Sequence, residues 1–270
     1  MHTDSDTLHF LDDESDTAVA EGLVWRLMVI DDEPDVHRAT TFALAGVKIL
    51  GRPLQFLHAY SATEATLLLA SEQDVAVVLL DVVMEREDAG LALVKTIRQD
   101  LRLTELRIIL RTGQPGYAPE IETIHDFDIN DYKTKSELTR TKLYATVTAA
   151  VRAYEQIRKL DQLAFYDRLC SLPNRNKFID LSDERLVSRK FSSDVIAILD
   201  IDDFSEINDA LGHQQGDRLL QAVSERLKVE LGSKVILARL GGDTFGLMGD
   251  QCALDPLTVL DLFRSPFKVQ

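Results

Sequence analysis

The segment Val75-Ala-Val-Val-Leu-Leu80 is apolar at every position and ends at Asp81. A strand with one wet face alternates apolar and polar residues; one that is apolar throughout is covered on both faces, as in a parallel sheet wound with helices on both sides. Two more runs follow the same pattern: Trp25 to Ile30 leads into Asp31 and Asp32, and Arg107 to Arg111 leads into Thr112. Strands over Leu54–His58 and Asp128–Tyr132, the latter leading to Lys135, complete the set. Helix signals lie between them. Pro34 suits a first helical turn, where its missing N–H costs nothing, and Ser61 with Glu64 has capping-box spacing. Gly51-Arg52-Pro53 breaks the chain before the second strand. This alternation predicts an α/β domain over residues 23–140, a doubly wound five-stranded parallel sheet.

Residues 141–165 continue as one long helical pattern. Leu143, Val147, Ala150, Tyr154 and Ile157 recur at heptad spacing, so the early turns are expected to pack on the sheet and the late turns to pair with a second copy as a homodimer. Residues 166–270 form a second unit. Val195 to Leu199 reads as a buried strand ending at Asp200. Helices are expected over Asp203–Leu211, stopped by Gly212, and over Gly216–Lys228. Strands Val235–Leu240 and Phe245–Met248 flank Gly241-Gly242-Asp243-Thr244, and a glycine pair between apolar strands signals a hairpin.

Charge and composition exclude several classes. Asp and Glu number 45 against 30 Lys and Arg, a formal charge of -15, and no basic cluster suggests a nucleic-acid partner. Residues 1–22 are acidic and free of Lys and Arg, which reads as a disordered leader rather than a secretory signal. No apolar run approaches the ~20 residues that span a bilayer. Cys170 and Cys252 are the two cysteines and lack metal-ligand spacing, consistent with a reducing, cytoplasmic compartment.

Parallel strands present their carboxyl ends along one edge, where open α/β sheets bind ligands. Asp31, Asp32, Asp81, Thr112 and Lys135 therefore converge there. Clustered carboxylates repel unless a cation lies among them, and oxygen-only ligands suit Mg²⁺. One carboxylate, Asp81, is then placed as a nucleophile towards a phosphoryl donor. Asp31 and Asp32 serve the metal with it, Lys135 neutralises the phosphoryl oxygens, and Thr112 donates a hydrogen bond to one of them.

Val-Ile-Asp31-Asp32-Glu-Pro, Leu-Leu-Asp81-Val-Val-Met84, Arg-Thr112-Gly and Asp-Tyr132-Lys-Thr-Lys135 resemble the motifs of response-regulator receiver domains over about residues 25–150. The resemblance implies phosphotransfer to Asp81 from a histidine kinase or phosphotransfer protein, with Tyr132 at the position of an aromatic switch. The departures are Glu85 in place of the usual proline after Met84, a longer loop to Gly90, and Ser136 in place of the proline after the lysine.

Asp167-Arg-Leu-Cys-Ser-Leu-Pro-Asn174-Arg175, Asp200-Ile-Asp202-Asp203-Phe204, Asn208 through Asp217, and Arg239-Leu-Gly241-Gly242-Asp243-Thr244-Phe245 resemble GGDEF diguanylate cyclase domains, which condense two GTP into cyclic di-GMP. The resemblance implies a metal site at Asp200 and Asp243, guanine contacts from Asn208 and Asp217, and a close backbone approach at Gly241 and Gly242. Thr244 stands where the family carries Glu, Ser205 where it carries Lys, and Gly232 and Val235 where its product-inhibition motif Arg-x-x-Asp would lie. A chain ending at Gln270 also falls short of a complete domain of this type. The expectation is thus a response regulator whose cyclase-like half binds GTP without converting it, regulates or dimerises, and precedes a cyclic-di-GMP phosphodiesterase (EAL) domain. The rivals are an active, phosphorylation-controlled cyclase and a receiver acting as an interaction module without phosphorylation.

Overall fold

The computed structural model describes residues 24–72, 74–113, 128–135, 139–187 and 193–267. The expected leader, Ser136 and the loop following Gly113 lie outside them. The chain divides into two compact units between Ile157 and Arg158.

In the first unit the order is β1 (Trp25–Ile30), α1 (Pro34–Ala43), β2 (Lys48–Ile49), β3 (Arg52–Ala59), α2 (Ala62–Ser71), β4 (Val75–Asp81), α3 (Ala89–Lys95, continued by a π-helical turn Thr96–Asp100), β5 (Arg107–Thr112), β6 (Asp131–Thr134) and α4 (Arg140–Phe165), whose residues from Arg158 on belong to the second unit. The sheet order is β2-β3-β1-β4-β5-β6, with β3, β1, β4, β5 and β6 mutually parallel. The short strand β2 is antiparallel to β3 and adds a sixth strand to the five expected. It arises from a two-residue hairpin at Leu50-Gly51, where φ is 50° and 77°. Two successive positive φ values match the twist of a hairpin. Gly51 therefore turns the chain rather than merely interrupting it, and β3 begins at Arg52, two residues earlier than expected.

Strand β4 is buried along its whole length, and its alternate residues feed two cores. Val78 and Leu80 join Met28, Ile30, Ile108 and Leu110 with residues of α2 and α3. Val77 and Leu79 join Leu27, Val29, Ile109 and residues of α4 on the opposite face. Each such side chain contributes about 1.5–3 kcal/mol when removed from water. Ser61 caps α2 as expected, its Oγ accepting from Glu64 N at 3.2 Å, while Glu64 Oε2 reaches back one residue beyond the cap and accepts from Tyr60 N at 2.7 Å.

The early turns of α4 pack on the sheet, as expected. Leu143, Val147, Ala150, Val151 and Tyr154 are buried on the sheet, and Tyr154 meets Trp25 edge to face at 6.2 Å. These residues are core, so a self-association seam would fall to later positions such as Leu160 and Leu163, which are exposed.

The second unit contains α5 (Arg175–Val187), β7 (Asp194–Leu199), α6 (Phe204–Leu211), α7 (His213–Leu231), β8 (Ile236–Gly241), β9 (Thr244–Asp250) and α8 (Pro256–Asp261). Its antiparallel sheet runs β7-β9-β8. Leu220, Val223 and Leu227 of α7 pack with Leu237, Phe245 and Leu247 on one face, while Phe178 of α5 meets Ala238 and Met248 on the other. The expectation of a fully buried β7 does not hold. This strand lies at the sheet edge, and Ile196 and Ile198 are 54% and 60% exposed because α5 covers β8 and β9 instead. Helix α7 starts at His213, three residues before the expected Gly216.

Candidate functional site

Parallel register brings the ends of distant segments to one edge. Ile30 pairs with Leu80, Asp81 with Arg111, and Thr112 with Thr134, directly before Lys135. Lys135 Nζ lies 2.8 Å from Asp81 Oδ2, 3.2 Å from Asp31 Oδ2 and 3.1 Å from Glu33 Oε1. Oxygens of Asp31, Asp32, Glu33 and Asp81 all lie within 4.8 Å of one another. Asp31, Asp81 and Thr112 are buried, whereas Asp32 and Glu33 are exposed. Tyr132 is half-buried in β6 against the core under α2 and α3.

The loop after Asp81 folds back tightly. Gly90 N donates to Val82 O at 3.0 Å, and a Cβ on Gly90 would stand 2.1 Å from the Asp81 carbonyl oxygen. Glu85 Oε1, at the position where a proline is usual, accepts from Ala62 N at 3.1 Å and ties this loop to the start of α2.

Burial raises the pKa of Asp81, and the nearby Asp31 charge adds to this, against the opposing hydrogen bond and charge of Lys135. Burial pulls Lys135 down. Its hydrogen bonds to Asp81 and Glu33, with the charges of Asp31 and Asp81, outweigh that and hold the amine above the usual lysine range. Oxygen donors of this number and charge fit a hard divalent cation. Two residues of the cluster were absent from the sequence expectation. Glu33 was signalled by the acidic run Asp31-Asp32-Glu33, and Arg111 by a cation directly after the apolar run Ile108-Ile109-Leu110.

In the second unit Thr244 Oγ1 donates to Asp200 Oδ1 at 2.8 Å, so threonine at the usual glutamate position engages the expected metal ligand. Asp243 lies half-buried in the turn between β8 and β9. Gly241 and Gly242 have φ of 139° and 56° with open space where a Cβ would be, so backbone conformation rather than crowding favours glycine there. The Asn208 side chain lies so close to Gly216 that a Cβ there would meet its Oδ1 at 1.9 Å, and Asp217 follows at the exposed next position. Arg239 links two motifs, donating to both Asp167 oxygens (3.1 and 3.0 Å) and to Gly242 O (2.6 Å). Asp167 in turn accepts from Leu169 N and Cys170 N.

The first unit is a doubly wound sheet whose parallel strands run in the flavodoxin-like order, as in receiver folds, with an acidic site at the carboxyl edge. The second is a GGDEF domain: residues 164–264 match the family described as "Diguanylate cyclase, GGDEF domain". The chain is 43% identical over 133 residues to the 3'3'-cGAMP-specific phosphodiesterase 2 of Vibrio cholerae, covering 49% of this chain and 26% of that protein. It is 40% identical over 93 residues to the cyclic di-GMP phosphodiesterase NbdA of Pseudomonas aeruginosa, covering 34% and 12%. The chain thus spans about a quarter or less of the length of these relatives. Similar solved structures include a CheY-like receiver domain protein from Methanospirillum hungatei (18% identity, TM-score 0.40, 50% of this chain and 98% of that one). Another is the coiled coil and GGDEF domain of DgcB from Caulobacter crescentus in complex with c-di-GMP (25% identity, TM-score 0.41, 45% and 66%). No helix among the described residues is long and apolar enough to cross a membrane.

Proposed function

We propose that Asp81 is a phosphoacceptor in a response regulator of cyclic-di-GMP signalling. The observation that carries this reading is the 2.8 Å contact between Lys135 and Asp81 inside a group of four carboxylates. An Asp81 oxygen attacks the phosphorus of a phosphohistidine on a histidine kinase or phosphotransfer protein. The P–N bond breaks, its electron pair returns to the imidazole, which takes up a proton, and an acyl phosphate forms. Lys135 meets the charge on the transferred oxygens and the Thr112 hydroxyl supplies a hydrogen bond. Asp31, Asp32 and Asp81 would hold Mg²⁺, which when bound neutralises the phosphoryl oxygens. A phosphoprotein-sensitive gel on wild type and Asp81→Asn tests this: labelling is expected in wild type and lost in the variant. Persistent labelling of the variant contradicts it.

The GGDEF half is a regulatory or dimerising module that takes GTP through Asn208 and Asp217 without condensing it. The hydrogen bond from Thr244 to Asp200 supports this, since a hydroxyl supplies neither a metal-binding carboxylate nor a general base, whose removal costs ~10²–10⁴ in rate. The phosphodiesterase names of the relatives support a chain working beside an EAL-type domain. Incubation with GTP, Mg²⁺ and acetyl phosphate is expected to give no cyclic di-GMP; its formation would establish an active cyclase instead.

A further inference from the structure

Strand β5 carries Ile108-Ile109-Leu110 and then an arginine, Arg111, that is only 3% exposed. Burying a guanidinium is costly unless it is paired. Arg111 Nη2 lies 3.5 Å from Asp31 Oδ2, and Nη1 donates to Thr40 Oγ1 of α1 at 3.0 Å. Its Nε is buried without a hydrogen-bond partner. Asp31 is itself fully buried and is met from another side by Lys135 at 3.2 Å. Arginine keeps its charge in such surroundings.

We propose that Arg111 is a positioning residue, a fixed counter-charge that holds Asp31 in place and sets how tightly the acidic site takes a divalent cation. This rests on reading the site as a cation-binding phosphoacceptor centre. The carboxylates of Asp31, Asp32, Glu33 and Asp81 contribute four negative charges, and Arg111 and Lys135 two positive ones. The sum, -4 + 2 = -2, is the complement of one divalent ion. Neutralising Arg111 leaves -3, removes a cation that repels the metal, and frees the Asp31 carboxylate.

Calorimetric titration of the full chain with Mg²⁺ tests this, using wild type, Arg111→Gln and Arg111→Lys. The Gln variant is expected to bind Mg²⁺ roughly tenfold more tightly, and the Lys variant, which keeps the charge without the guanidinium's bond to Thr40, to tighten by no more than about threefold. A folded Gln variant with wild-type affinity overturns the proposal. Should the Gln variant not melt cooperatively, Thr40→Val keeps the charge but removes the bond that anchors it. That variant is expected to shift affinity about two- to threefold in the same direction, and no shift overturns the proposal. Wild type that takes no Mg²⁺ overturns both this proposal and the reading of the site. Binding by wild type with unmoved variants overturns this proposal alone.

Discussion

Lys135 Nζ and Asp81 Oδ2 are 2.8 Å apart, although they come from the ends of two strands separated in the sheet by β5. The lysine is the one cation that touches Asp81, Asp31 and Glu33 together among the described contacts. Replacing Lys135 by Met should therefore slow phosphorylation of Asp81 by about 10²-fold, the scale expected for losing one charged stabiliser of a transferring group. Rates of labelling from acetyl phosphate, compared at equal folded concentration, check this.

Gly90 has no room for a side chain. A Cβ there would meet Asp81 O at 2.1 Å and Val82 Cα at 2.7 Å, both backbone atoms that cannot swing aside. Gly90→Ala should cost about 1–3 kcal/mol of stability, the usual price of overpacking. It should also slow phosphorylation of the folded fraction, because the displaced backbone carries the acceptor. Urea denaturation and labelling rates on the same preparation check both effects.

Val147 is fully buried under the sheet. If α4 used this seam to pair with a second copy, Val147→Ala would change oligomeric state first. The packing predicts otherwise: a loss of ~1–3 kcal/mol, between the costs of smaller and larger core truncations, with the sedimentation coefficient unchanged. Denaturant titration and analytical ultracentrifugation separate the two outcomes.

The raised pKa of Asp81 has a defined consequence for stability. Its folded value lies above the ordinary 3.8, so the folded state holds the proton more tightly than the unfolded chain does. Ionisation of Asp81 therefore costs stability. That cost is absent below the ordinary value and complete above the folded pKa. In metal-free protein, Asp81→Asn should gain stability relative to wild type as pH rises from just above 3.8 through the folded pKa, and the gain should then level off. Urea midpoints across that pH series check it.

Much of the first unit was legible because its strands carry both a burial pattern and a terminal functional group. Val75 to Asp81 reads as a doubly covered strand, and the structure buries it on both faces. The hairpin at Leu50-Gly51 escaped because leucine at positive φ has no sequence signal; it is tolerated where β2 and β3 close around it. The heptad of α4 was ambiguous for a physical reason. The same spacing serves a helix on a sheet and a helix on its own copy, and Tyr154 against Trp25 decides for the sheet. In the second unit, β7 looked buried from its residues alone. Burial of a strand depends on what covers it, and exposed Ile196 and Ile198 mark an edge. The Thr244–Asp200 contact was foreshadowed by a substitution, but no pattern in the sequence states that the hydroxyl would turn to that carboxylate.

Locating the phosphoryl group itself decides whether Asp81 is the acceptor. Protein treated with acetyl phosphate and Mg²⁺ is reduced with borohydride, which converts an aspartyl phosphate to homoserine, and is then sequenced by tandem mass spectrometry. Homoserine is expected at position 81, dependent on Mg²⁺ and absent without the phosphodonor. Conversion at another aspartate, or none at position 81 in folded protein under these conditions, would contradict it.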